Sequence, residues 1–106
     1  MTLNFETTRG PVRIRGSRVG AFGVHRTLGA SGRLCQFRVW TVTHLPTGAT
    51  AGQTWRSLAT ARRVARRLST LKGNWAFTKV KKMPKALRIQ GKAVVDEERA
   101  RQAARR

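Results

Sequence analysis

Between residues 57 and 71 the apolar and charged positions separate with a helical period. Leu58, Ala61, Val64, Ala65, Leu68 and Leu71 recur at i, i+3, i+4, i+7 spacing, while Arg62, Arg63, Arg66 and Arg67 share the opposite side. At ~100° per residue the four arginines span roughly 140°. Ser57 can accept a hydrogen bond from a free first-turn N–H, and Gly73-Asn74 tolerate the left-handed conformation used at helix ends. The spacing predicts one helix over 57–71.

Upstream the period falls to two. Val12 and Ile14 alternate with Arg13 and Arg15, Gly16-Ser17 reads as a turn, and Arg18 to Leu28 carries Val19, Phe22 and Val24, broken by Gly20 and Gly23. Glycine inside a strand marks a bulge, a close backbone approach or simple loop flexibility. Residues 29–32 are loop-like. Arg33 to Leu45 is the strongest strand pattern: Cys35, Phe37, Val39 and Thr41 alternate with Gln36, Arg38, Trp40 and Val42. Leu45-Pro46-Thr47-Gly48 is a turn, and Ala49 to Arg56 returns antiparallel. Trp75 to Lys82 reads as a last strand, or as an extended segment docking Trp75 and Phe77, and Met83-Pro84 closes it.

These elements predict an α+β fold: a small antiparallel sheet of three to five strands packed on one amphipathic helix. Residues 1–10 are expected as a flexible arm, 11–83 as a single domain, and 84–106 as a basic tail. Alanine-rich composition allows part of that tail to be helical from about Val94, with a thin apolar face.

Charge changes the picture. Of 106 residues, 23 are Lys or Arg and four are Asp or Glu, a net charge of +19. The 40% hydrophobic content suffices for one small core, to which Trp40, Trp55 and Trp75 can contribute much buried area. No acidic residue lies between Thr7 and Val95, so the arginine face is expected to lack a partner there. Unpaired like charges at i, i+4 cost a few tenths of a kcal/mol each. A run of charge ordinarily marks a solvated face, but this one points to a polyanion. A membrane is not expected, because no apolar run approaches ~18 residues. Cys35, the single cysteine, excludes an internal disulfide and fits a reducing compartment. No apolar signal-peptide run stands at the N-terminus, so the expected location is cytoplasmic, associated with nucleoid or ribonucleoprotein.

Candidate chemistry is sparse. His25 and His44 are expected on the surface, and Cys35 buried in its strand. Glu6, Asp96, Glu97 and Glu98 lie toward the two termini, where a general acid–base pair is not expected. No metal-ligand spacing and no phosphate loop are present, since no Gly-Lys-Ser/Thr follows the glycines at 16–32. The reading is a non-enzyme with no cofactor, no metal and no small-molecule substrate.

The strand from Arg33, the Pro-Thr-Gly turn, the return strand ending in Trp55, and Ser57-Leu-x-x-Ala-Arg-Arg-x-Ala-x-x-Leu68 together resemble the sheet-plus-helix units of AP2-like domains and of phage-integrase arm-binding domains. The resemblance covers about a third of the chain. It implies a three-stranded sheet laid into a DNA major groove, with Arg38, Trp40 and His44 on the reading face and the helix behind.

The function expected is a small, strongly basic nucleic-acid-binding protein, with DNA favoured over RNA. Phosphates would be contacted by Arg62, Arg63, Arg66 and Arg67, by Arg13 and Arg15, and by Lys79, Lys81 and Lys82, with Arg38, Trp40 and His44 on the alternative, sheet-borne face. Two other readings stand beside it: a small phage-type inhibitor or adaptor that occupies an acidic groove of a nucleic-acid enzyme or defence complex, and a ribosomal or ribonucleoprotein component.

Overall fold

The structure is a computed structural model that describes residues 1–7, 10–29, 34, 38–52 and 54–104. Five strands run antiparallel in the order β1-β2-β3-β4-β5: β1 Thr2–Thr7, β2 Gly10–Val19, β3 Phe22–Arg26, β4 Trp40–His44 and β5 Ala49–Thr50. Two helices follow, α1 Leu58–Ser69 and α2 Lys85–Ala104, with a short 3-10 turn at Val80–Lys82 between them. The α+β class and the antiparallel sheet are as the patterning predicts.

Strand β2 changes partner along its length. Residues 10–15 pair with β1, in a register that sets Leu3 against Ile14 and Phe5 against Val12. Residues 16–19 pair instead with β3. The segment expected as a loose arm is therefore strand β1, and its hairpin with β2 folds over the outer face of β3 and β4. Phe5 stacks on the His25 ring at 5.2 Å. Leu3 packs so closely that a Cβ on Gly23 would come within 2.7 Å of its Cδ1. Gly16-Ser17 is not a turn: the strand runs on, and the reversal comes at Gly20-Ala21. Gly20 has φ 59°, the positive value that the first position of a two-residue hairpin turn demands.

Alternation then assigns the two faces of β3 and β4. Phe22, Val24, Val42 and His44 face α1, with Phe22 opposite His44 and Val24 opposite Val42. Gly23, His25, Thr41 and Thr43 face the β1–β2 hairpin. Both faces are covered, so all of Phe22 to His25 and Thr41 to His44 are buried. Strand β4 begins only at Trp40; Arg33 and Cys35 to Phe37, assigned to the same strand by pattern, lie outside the described residues. Beyond the 45–48 turn the return strand is brief. Ala49 and Thr50 pair with β4, and Trp55 rejoins it through a bridge to Trp40.

Helix α1 forms as its spacing predicts. Ser57 Oγ accepts from the Thr60 amide at 3.1 Å, and Ala61, Val64, Ala65 and Leu68 are buried against the sheet. The helix ends at Ser69, four residues before Gly73. Trp75 reinforces that ending: its indole N–H donates to the Leu68 carbonyl at 3.0 Å, beside the Leu71 amide that donates to the same oxygen at 3.2 Å. Trp75 to Phe77 forms no strand, and the chain bends at Thr78 and Lys79. It docks Trp75 edge-on against Phe22 at 4.9 Å and stacks Phe77 on His44 at 4.5 Å.

The expected tail is a second packing helix. Helix α2 starts at Lys85 rather than near Val94, and buries Leu87, Gly91, Val94 and Glu98, one stripe at i, i+4, i+7, i+11. Its far half is fixed by polar contacts. The Arg99 guanidinium lies 5.4 Å from the Trp55 ring centroid, and Gln102 Oε1 accepts from the Arg56 amide at 2.8 Å.

Candidate nucleic-acid interface

The arginines of α1 divide into two rows. Arg63 and Arg67 face α2 and converge on Glu98, a residue with no exposed surface. Arg63 Nε donates to Oε1 at 2.9 Å and Arg67 Nη1 to Oε2 at 2.8 Å. Arg67 Nη2 also reaches Glu97 at 3.1 Å, and Arg101 Nη1 stands 3.6 Å from Glu98 Oε2. The arginine face expected to lack acidic partners is thus half neutralised, by carboxylates 30 to 35 positions downstream. Burial alone would push the Glu98 carboxyl up, but the hydrogen bonds from Arg63 and Arg67 and the surrounding positive charge outweigh it and hold the carboxyl below its ordinary range. The same hydrogen bonds raise Arg67 further.

Arg62 and Arg66 form the other row. Both are exposed. Arg62 Nη2 donates to Ser17 Oγ on β2 at 3.2 Å, and Arg66 makes no ion pair or side-chain hydrogen bond among the described residues.

The remaining predicted cations lie elsewhere. Arg13 and Arg15 project from the exposed face of β2, opposite Asn4 and Thr2. Lys79, Lys81 and Lys82 are exposed around the 3-10 turn, and Lys85 and Arg88, exposed on the first turns of α2, continue that group. No carboxylate is among the residues from 79 to 88, and none of these side chains has an ion pair among the described residues. The first turn of α2 carries no acidic residue against its positive dipole end. Arg38 is exposed just ahead of β4. Lys92, further along α2, is held by Asp96 at 2.8 Å.

Two residues leave the sheet-borne face. Trp40 is half-buried against the core. His44, expected on the surface, is 4% exposed, and its ring lies under Phe77. Its Nε2–H donates to the Trp75 carbonyl at 2.7 Å and its Nδ1 accepts from Thr47 Oγ1 at 2.9 Å. His25 is also 4% exposed: Nδ1–H donates to the Arg26 carbonyl and Nε2 accepts from Thr43 Oγ1, each at 2.8 Å. Both patterns fit the neutral ring, and burial lowers both histidines below their usual value against the smaller raising effect of the carbonyl bonds. With β3 and β4 covered on both sides, no open sheet face among the described residues carries Arg38, Trp40 and His44 together.

Sequence reasoning put the four α1 arginines on one unpartnered face and so missed Glu98, which pairs with Arg63 and Arg67. It also stopped the lysine group at Lys82. The signal for extending it was present, since Lys85 and Arg88 follow within six residues without an intervening acid.

Among the described residues, no group of three or more His, Cys, Asp or Glu could hold a metal ion, and no helix is long and apolar enough to cross a membrane. No protein-family model matches the chain, no curated protein matches its sequence, and no solved structure matches its fold.

Proposed function

We propose that this is a nucleic-acid-binding protein, with DNA as the favoured partner, that grips phosphates electrostatically. The observation carrying this reading is the use of three of its four acids. Asp96, Glu97 and Glu98 are all spent in ion pairs within the fold, with Lys92, Arg63, Arg67 and Arg101. Lys79, Lys81, Lys82, Lys85 and Arg88 stay exposed beside one another with no carboxylate among them. A surface of that kind repels itself until counterions or phosphates gather on it. Arg62 and Arg66 supply a second cationic edge, and Arg63 and Arg67 act on α2 rather than on the ligand. A groove-reading sheet, as in AP2-like and integrase arm-binding domains, is disfavoured as the mode because Leu3 and Phe5 occupy the outer face of β3. A cytoplasmic, nucleoid- or ribonucleoprotein-associated location accompanies this reading.

The test is the salt dependence of binding to duplex and single strands, followed by fluorescence anisotropy. Each phosphate neutralised on B-DNA contributes about −0.9 to the slope of log K against log salt. Changing Lys79, Lys81, Lys82 and Lys85 to Gln is expected to weaken binding to all sequences alike and to shrink the slope by up to about four units. A slope near zero for the unaltered protein overturns the reading. Copurification with separate DNase and RNase treatments distinguishes DNA from RNA. A protein partner that survives both moves the assignment to an inhibitor or adaptor bound to an acidic surface.

A further inference from the structure

A cavity of about 270 Å³ lies between α2, the β4–β5 turn region and Trp75. Its walls are apolar, with Phe22, Leu68, Trp75 and Val95 prominent. An apolar cavity of about 150 Å³ stays dry and holds benzene, so this one has room for a fused ring pair or a medium-length acyl chain. The two charged side chains lining it, Arg88 and Lys92, are both exposed, which puts them at the rim. No carboxylate lines it, and Asp96 meets Lys92 outside it.

Gly91 shows that the space is not forced by packing. It is buried in the middle of α2, where glycine lowers helix stability relative to alanine. A Cβ there would meet Leu68 Cδ2 at 3.6 Å and Trp75 Cη2 at 3.9 Å, ordinary van der Waals distances. Neither a close approach nor an unusual backbone angle requires glycine at this position. What glycine provides is room in the cavity.

We infer that this cavity binds a small amphipathic carboxylate, its apolar body against Trp75 and Phe22 and its carboxylate on Arg88 and Lys92. A nucleobase fits less well. His44, the polar ring in the wall, has both nitrogens engaged, by Thr47 and by the Trp75 carbonyl, so the several polar edge atoms of a base would have only the Thr47 and Thr50 side chains to meet. The inference shares Arg88 with the proposed nucleic-acid surface but rests on the apolar cavity rather than on that surface, and it gives the chain a small-molecule ligand that its sequence did not signal.

The experiment titrates the full chain with sodium octanoate and follows amide chemical shifts by NMR. Saturable shifts confined to the cavity-lining residues are expected, with octan-1-ol binding more weakly and octylamine weaker still. Replacing Arg88 and Lys92 by Gln is expected to weaken octanoate by about two- to fivefold per charge, as for exposed ion pairs, and to leave octan-1-ol unchanged. Gly91→Leu, which fills the space, is expected to weaken both ligands by more than about tenfold. Should that variant not fold, Gly91→Ala carries the test: it is expected to raise the melting temperature while weakening octanoate. Shifts centred on Lys79 to Lys85 instead of the cavity, or Gly91 variants that fold and bind octanoate like the unaltered protein, overturn the inference. Tighter cavity binding by thymidine monophosphate than by octanoate overturns it in favour of a base pocket.

Discussion

The two helices bury comparable stripes by different means. Helix α1 buries Ala61, Val64, Ala65 and Leu68, four apolar residues that face the sheet. Helix α2 buries Leu87, Gly91, Val94 and Glu98, of which one has no side chain and one carries a charge. The first stripe gains from removing apolar surface from water. The second depends at its far end on arginines that belong to the first helix. Thus α1 is both a core element and the anchor for α2, and half of its charge is committed to that second task. The contrast predicts that α1 fails globally and α2 locally.

The largest effect is therefore expected at Leu68. Leu68→Ala removes a buried side chain at the meeting of α1, the sheet and Trp75, and is expected to lower stability by about 2–5 kcal/mol. Chemical denaturation checks this, with loss of amide protection throughout the sheet. An unchanged midpoint would mean that α1 does not carry the core.

Glu98→Gln tests the other helix. The substitution keeps the shape and removes the charge that Arg63 and Arg67 share. A hydrogen bond to a charged group contributes roughly 1.5–3 kcal/mol, and the two arginines keep about a third of their side chains in water and can be resolvated there. A loss of about 2 kcal/mol is expected, appearing as faster hydrogen exchange along Val94 to Ala104 before any change in β3 and β4. Uniform loss of protection across both regions would show that the two helices unfold as one unit.

The same comparison explains what the sequence disclosed. The stripe on α1 is legible because every position in it is apolar and the Ser57 cap precedes it. The stripe on α2 has the same period but is hidden, because Gly91 and Glu98 do not register as core residues until Leu68 and two arginines surround them. β1 was obscured for a related reason: Leu3 and Phe5 are the only large apolar residues in a polar stretch, and they become a strand face only once β3 offers Gly23 and His25 beneath them. The candidate site was half legible. Charge count and arginine spacing are properties of the chain, but which arginines are neutralised depends on a contact between residues more than 30 positions apart. His44 was misplaced because alternation fixes which face a residue takes but not what covers that face, here Trp75 and Phe77.

Acid is expected to separate the regions in sequence. His25 and His44 are held neutral by burial, so their folded pKa values lie below the unfolded one. Their contribution is fully present above about pH 6.5 and is lost as pH falls through the folded values. Glu98 is also depressed, and its contribution, present above the ordinary carboxylate range, is lost as pH falls through its folded value. The sheet packing around the histidines is thus expected to weaken first and the α1–α2 latch at lower pH. Melting curves followed from pH 8 to pH 3, with Glu98→Gln as the control lacking the lower step, check the order. Stability that rises on acidification from pH 7 would contradict both assignments.

The smallest effect is expected where the two arginine rows of α1 are compared directly. Arg62 and Arg66 stand four residues apart on an exposed edge, a like-charge spacing that is unfavourable by a few tenths of a kcal/mol. Changing both to Gln keeps good helix formers and removes that repulsion, at the loss of one exposed hydrogen bond to Ser17. Stability is expected to stay within about 0.5 kcal/mol of the unaltered protein. The same change at Arg63 and Arg67 strips Glu98 of its closest partners and, among the described residues, leaves a buried carboxylate facing only Arg101 at 3.6 Å, so a clear loss is expected. The binding outcomes should run the other way. The Arg62 and Arg66 pair is expected to reduce the salt slope by up to about two units on B-DNA. The Arg63 and Arg67 pair, its charge already met within the fold, is expected to reduce it by less, measured where the variant is still folded. Equal melting temperatures for the two double variants would dissolve the distinction between the rows, because the helix would then hold its four arginines on one common, solvated face.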